Sequence, residues 1–185
     1  LMDVACKATK GGMASVLGGD AAVIAEVAKE CGIDVANYNS PGQIVISGEA
    51  EKVDAAVAML KEKGMRKIVP LTVAGAFHSR LMASAGEGLA QVLADAAIEL
   101  PAFPVYHNFT GAPAGSVAEL KDALKNQVAG SVHWYQSVEK MVESGADAMI
   151  EFGPGNVLTG LLRRTCKDVP GYNINSWESL NNFNN

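Results

Sequence analysis

An imidazole set among small residues is the best-placed reactive group of this chain. His78 stands in Phe77-His78-Ser79, preceded by Ala74, Gly75 and Ala76 and followed by an apolar helical run. Small flanks let backbone and substrate approach closely. Neutral imidazole near pH 7 suits a general base that takes a proton from a hydroxyl and later returns it. Ser79 can cap the helix that follows, fixing the loop and hence the ring. The alternative is a histidine that merely caps or packs at a helix start. A base also needs a nucleophile, and no serine or cysteine here sits in a recognisable nucleophile motif.

The other polar candidates are weaker. His133, in Ser131-Val-His-Trp134, begins a helix and reads as a partly buried cap residue; His107 ends a strand and reads as a loop residue. The three histidines show neither H-x-x-x-H nor H-x-x-E-H spacing, so no metal is expected. Gly153-Pro154-Gly155 follows an apolar run and opens a helix, either as an anion-binding helix start or as a tight turn. With no G-x-G-x-x-G and no Walker sequence, no nucleotide cofactor is expected either. Asn39, in the polar hairpin Asn37-Tyr-Asn-Ser-Pro-Gly-Gln43, either bonds its own turn or faces a cleft between two subdomains.

These residues need a core to hold them. The chain has 185 residues, 49% hydrophobic and 19% charged, enough for one sizeable core or for a small domain plus part of a larger one. A net charge of -5 and a pI near 5.2, with no basic stripe, speak against nucleic-acid binding. Cys6, Cys31 and Cys166 are odd in number and far apart, which reads as buried thiols in a reducing, cytoplasmic compartment. No apolar stretch approaches the roughly 18 residues of a membrane span, so no membrane partner is expected. The first residue is not Met, which points to an N-terminus further upstream.

Hydrophobic periodicity then gives the elements. Residues 1–8 read as the end of a helix, 13–17 as a strand, 21–30 as a helix capped by Asp20, 34–39 and 43–47 as a hairpin, 50–63 as a helix and 66–71 as a strand. Strand, helix, strand, strand, helix, strand is the split βαβ plan, a ferredoxin-like unit over residues 12–71 whose ends lie close enough for insertion into a larger domain. Beyond it the pattern predicts a long helix at 79–100, a short strand at 103–107, helices at 117–128 and 134–144, a buried parallel strand at 146–152, a helix at 156–166 and a last strand at 172–175. Alternating helix and strand indicate an α/β layer, although the strands after residue 71 are too few for a complete sheet. The Asn-rich end, 181–185, is expected to fray.

Five motifs occur in order: Asn37-Tyr-Asn-Ser-Pro-Gly-Gln-Ile-Val-Ile-Ser-Gly48, Gly75-Ala-Phe-His-Ser-Arg-Leu-Met82, Pro104-Val-Tyr106, Val132-His-Trp134 and Glu151-Phe-Gly-Pro-Gly-Asn-Val-Leu-Thr-Gly-Leu161. Together they resemble the malonyl-CoA:acyl-carrier-protein transacylase family of fatty acid synthesis, to which the acyltransferase domains of polyketide synthases are similar. The resemblance implies an α/β-hydrolase-like large subdomain with an inserted ferredoxin-like small one. Residues 1–11 would end a large-subdomain helix, 12–71 would be the insert, and 72–185 would be the C-terminal part of the large subdomain. It implies transfer of malonyl from malonyl-CoA to a serine, and then to the phosphopantetheine thiol of acyl carrier protein, with no cofactor.

By the same resemblance His78 matches the catalytic base and Asn39 a cleft-lining position. Phe77 would crowd a branched acyl group and favour malonyl over methylmalonyl. His133 would fall where the family's backbone carbonyl orients the catalytic imidazole. The serine elbow, a malonyl-pairing arginine and the oxyanion loop would all lie upstream of residue 1, leaving a C-terminal fragment that is inactive by itself. Two rival readings are a ferredoxin-like binding or regulatory module and a related esterase. Lys61, Lys63, Arg66 and Lys67 are a local basic cluster, either a carrier-protein dock or a solvated helix end.

Overall fold

After a short helix, α1 (Met2–Ala8), the chain runs as β1 (Gly11–Leu17), α2 (Ala21–Glu30), β2 (Asp34–Ser40), β3 (Gln43–Glu49), α3 (Ala50–Glu62) and β4 (Lys67–Pro70). The computed structural model of the protein describes residues 1–183. Asp20 sets the entry to α2, its carboxylate accepting the Ala22 amide at 2.7 Å. The sheet order is β2-β3-β1-β4 with every neighbouring pair antiparallel, the connectivity of the split βαβ plan.

Alternation along the strands divides the side chains between two faces. Ala14, Val16, Ile44 and Ile46 turn to one side, where Ile24, Val27 and Ala28 of α2 and Val53, Ala56 and Leu60 of α3 close the largest core. Met13 and Val45 turn to the other, and with Ala36 they receive Phe77. β2 is an edge strand, and its edge is covered rather than left open. The Val132 amide donates to Ala36 O at 2.7 Å, the Tyr38 amide donates to Val132 O at 2.8 Å, and Asn37 and Val132 form a parallel bridge.

A 3-10 turn, Arg80–Met82, leads into α4 (Ala83–Asp95). Then come the hairpin β5 (Tyr106–His107) and β6 (Ala112–Pro113), α5 (Val117–Gln127), α6 (Trp134–Glu143), β7 (Met149–Phe152), α7 (Val157–Thr165), β8 (Gly171–Ile174) and α8 (Trp177–Phe183). α4 packs on α1 and α5, and α6 and α7 pack on β2. β7 and β8 pair in parallel across α7. The architecture is α/β. No helix among the described residues is long and apolar enough to cross a membrane.

Several elements differ from the sequence expectation. The helix expected at 79–100 begins as the 3-10 turn and stops at Asp95. Ala96 is extended, and Lys121 Nζ binds the carbonyl of Ala94 at 3.1 Å. In the strand expected at 103–107 only Tyr106 and His107 pair, since Pro104 has no amide to give a ladder and Phe103 is 71% exposed. The apolar run at 146–152 is parallel but short and uncovered. Phe152 is 72% exposed because, among the described residues, β7 has one neighbour and nothing lies over its outer face. Asn181 and Asn182, expected to fray, belong to α8; the last two residues of that stretch lie outside the described residues. Of the thiols, Cys6 is buried while Cys31 and Cys166 are half-buried.

Ile46 is fully buried between the sheet and its two helices. Ile46→Ala should therefore cost about 2–5 kcal/mol of unfolding free energy, read from urea unfolding at constant m.

Candidate active site

His78 sits in the loop between β4 and the 3-10 turn, half-buried, with φ 55°, the left-handed region. Among the described residues no other non-glycine has positive φ. Such a conformation costs about 1–2 kcal/mol and persists only where the surroundings enforce it. Here they do. Ser79, fully buried, donates from Oγ to Ala76 O at 2.6 Å and accepts the Leu81 amide at 3.3 Å, so it caps the turn that follows. Gly75 lies so close to α1 that a Cβ there would collide with Cys6 Sγ.

The imidazole is held from one side. His78 Nδ1 lies 3.0 Å from Gln127 O, the carbonyl of the last residue of α5, 49 residues away. The Gln127 amide nitrogen is 3.3 Å from the same ring nitrogen and also 3.3 Å from Gly130 O. A carbonyl oxygen can only accept, so Nδ1 carries the proton and donates to it. The side-chain amide then gives its own proton to Gly130 O. Nε2 is left with its lone pair and, among the described residues, no hydrogen-bond partner. This is the tautomer a general base requires. Carbonyls at a helix C-terminus lack intrahelical partners, so the carbonyl of Gln127 is free to accept.

The orienting carbonyl corrects the sequence reading, which placed it at His133. The His133 carbonyl instead accepts the Ser137 amide at 3.0 Å and Ser137 Oγ at 2.8 Å, at the start of α6. The His133 ring stacks on Tyr38 at 5.3 Å between centroids and 9° between planes, and burial holds its pKa below the usual histidine value, with Lys140 adding to the effect. The sequence signal for Gln127 was only that it lies in the last turn of the helix expected at 117–128, where carbonyls lack intrahelical partners.

Phe77 packs between two clusters: Met13, Ala36 and Val45 of the sheet, and Ala5, Cys6, Met82 and Ala85 below the loop. Val128 and Ala129, just after Gln127, pack on the second of these. One apolar cluster thus supports both ends of the His78–Gln127 bond. Asn39 lies on β2 where the register slips between Tyr38 and Ser40, so it has no partner opposite on β3. Bulges of this kind re-aim a side chain. Asn39 is half-buried and, among the described residues, makes no hydrogen bond to His78. His107 lies in the β5–β6 hairpin, apart from His78.

The Gly153-Pro154-Gly155 turn offers no free anion site. Glu151 already occupies the start of α7, accepting the Leu158 amide at 3.1 Å, the Thr159 amide at 2.8 Å and the Thr159 hydroxyl. The Thr159 side-chain bond, then the backbone amides, hold the Glu151 carboxyl below its ordinary value.

A charged link escaped the sequence reading as well. Arg80, two residues after His78, binds Asp34 at the start of β2: Nη2 to Oδ1 at 2.7 Å, Nε to Oδ2 at 3.0 Å, and the Arg80 amide to Oδ2 at 2.8 Å. Burial pushes the Asp34 carboxyl up, but the hydrogen bonds and charge of Arg80 outweigh it and leave the pKa below 3.8.

The chain is similar to known proteins along nearly its whole length. The family described as acyl transferase domain matches residues 3–180. The malonyl CoA-acyl carrier protein transacylase of Bacillus subtilis is 38% identical over 184 residues, covering 97% of this chain and 58% of the relative. The crystal structure of malonyl-CoA:acyl carrier protein transacylase from Xanthomonas oryzae superposes with a TM-score of 0.93 at 36% identity, over 98% of this chain and 59% of that one. A malonyl-transacylase solved in complex with a type II polyketide acyl-carrier protein superposes with a TM-score of 0.89 at 34% identity, over 95% of this chain and 59% of that one. The chain spans less than two thirds of the length of the relatives it matches.

A Cβ at Gly130 would collide with the Phe109 ring and lie 2.7 Å from Asn126 O. Gly130→Ala should therefore displace the end of α5, and the 3.0 Å His78–Gln127 contact should lengthen beyond hydrogen-bonding distance in a crystal structure of the variant. The Asp34 link has a pH signature. Its depressed pKa adds stability above 3.8 that is lost as pH falls through the folded-state value. The melting-temperature deficit of Asp34→Asn should accordingly be present at pH 7 and close in acid.

Proposed function

We propose a function from one premise: the chain belongs to the acyl transferase domain family, alongside the malonyl CoA-acyl carrier protein transacylases. His78 is the general base of malonyl transfer from malonyl-CoA to the phosphopantetheine thiol of acyl carrier protein through an acyl-serine intermediate. The observation that carries this reading is the Nδ1 bond to the Gln127 carbonyl at 3.0 Å, which in the neutral ring places the lone pair on Nε2.

Nε2 takes the proton of a serine hydroxyl as its oxygen attacks the thioester carbon. The imidazolium so formed keeps its Nδ1 bond at the end of α5. It returns the new proton to the departing CoA thiolate as the carbon–sulfur bond breaks. In the second half Nε2 takes the proton of the carrier thiol, whose sulfur attacks the acyl-serine, and gives it back to the serine oxygen. Thioester exchange of this kind transfers no electrons. The serine, an arginine for the malonyl carboxylate and the oxyanion donors belong to the part of a family-length protein that this chain does not span.

The same reading makes the four-stranded unit over 12–71 a small subdomain inserted into an α/β-hydrolase-like large one, with 1–11 and 72–185 belonging to the latter. The parallel β7–β8 pair supports it. Parallel sheets are covered on both faces, yet Ile150 is 40% and Tyr172 44% exposed here. Asn39 lines the cleft between the two subdomains, and Phe77 stands beside the acyl α-carbon.

In the family-length protein, His78→Ala should lower malonyl transfer to carrier protein by at least about 10²-fold. Unchanged transfer would refute the assignment of the base. Malonyl-CoA should load faster than methylmalonyl-CoA, and Phe77→Ala should narrow the difference. Faster loading of the branched substrate by the unaltered enzyme would sink the role given to Phe77.

A further inference from the structure

We propose that Arg80 and Asp34 are a positioning pair that fixes the imidazole of His78 and keeps β2, the strand of Asn39, in register with it. The link to catalysis rests on the reading above; the geometry does not.

The contacts around His78 form a closed circuit. From the ring it passes to Gln127 O at 3.0 Å and along the chain to Ser131, whose Oγ donates to Val35 O at 2.6 Å. The Val132 amide adds its bond to Ala36 O at 2.7 Å. The circuit returns down β2 to Asp34, crosses to Arg80, and reaches His78 two residues back. Among the described residues the Arg80–Asp34 contact is the one link between the C-terminal side of the His78 loop and the sheet that is made by charge. Upstream of it the loop meets the sheet by packing alone, through Phe77 and through buried Ala76 against Gly11 of β1, and the bonds of Ser79 are local. Without the fork, packing alone would hold the C-terminal side of the loop, and the left-handed His78 would be free to relax and carry the ring away from the carbonyl of Gln127.

The form of the contact separates it from an ordinary surface ion pair. The fork engages both carboxylate oxygens, with Nε 3.2 Å and Nη2 2.7 Å from Oδ1 and Nε 3.0 Å from Oδ2. Nη2 also reaches Ile33 O at 3.3 Å. The Arg80 backbone amide binds the same carboxylate, so the link holds main chain and not only a flexible side chain. Asp34 is only 26% exposed. Bidentate pairs with added backbone bonds impose geometry as well as attraction. Lysine would keep the charge and lose the fork.

The test uses imidazole nitrogen-15 NMR on this chain, whose three histidines can be assigned individually. The unaltered chain should show a protonated Nδ1 and a bare Nε2 at His78. Arg80→Gln and Asp34→Asn should each shift His78 toward the free-imidazole pattern. The double variant should move it no further than either single one. Arg80→Lys should fall between, and His107, in a separate hairpin, should not change. Persistence of the original His78 pattern in the single variants overturns the proposal, whatever happens to the melting temperature. Should Arg80→Gln fail to fold, Asp34→Asn and Arg80→Lys decide in the same way.

In the family-length enzyme the two substitutions should lower kcat by about 10- to 10²-fold with KM for malonyl-CoA little changed. A lost NMR signature with unchanged transfer would leave the positioning pair standing and count against His78 as the base.

Discussion

The bond from His78 Nδ1 to the carbonyl of Gln127 is the constraint around which the rest of the molecule is arranged. An imidazole can carry its proton on either nitrogen, and only one choice leaves a base pointing outward. A backbone carbonyl at a helix end makes that choice without a carboxylate. It can only accept, and it has no intrahelical donor to compete. The cost is a backbone held at φ 55°, which is sustained by a buried serine, a glycine pressed against Cys6 and an aromatic ring wedged between two apolar clusters.

That bond is long-range, and the element that makes it possible is β2. As an edge strand it could have paired with another chain. Instead it takes up residues 131–133 on its open side, presents Asp34 to Arg80 at one end and carries the irregularity at Asn39 near the other. The four-stranded unit thus serves as a frame against which both the His78 imidazole and its orienting carbonyl are set. Its own stability comes from the opposite face, where α2 and α3 bury Val16, Ile24, Val27, Ile46 and Leu60. Packing and positioning use different faces of one sheet.

The C-terminal part shows the converse. β7, α7 and β8 form a parallel unit, tightly closed at its turn by the Glu151 carboxylate on Thr159, yet Phe152 and Trp177 remain 72% and 76% exposed. A segment can be locally well determined while its outer face is unpartnered. The sequence pattern at 146–152 reads as a buried strand because apolarity is what it records. Whether anything covers that apolarity is a property of the neighbours.

What the sequence by itself determined is whatever depends on short-range pattern. Period-two and 3.6-residue alternation placed the six elements of the first unit, Asp20 announced the cap of α2, Ser79 the cap beside His78, and five ordered motifs identified the family. Where the pattern met proline, as at Pro104, the expected strand shrank. Tertiary structure alone decided the contacts that cross the chain: Gln127 rather than His133 as the orienting carbonyl, 49 residues from its imidazole, and Arg80 with Asp34, 46 residues apart. Backbone carbonyls carry no residue-type signal, and opposite charges are too common to pair by spacing. Such partners become visible only when the fold has brought them within three ångströms of each other.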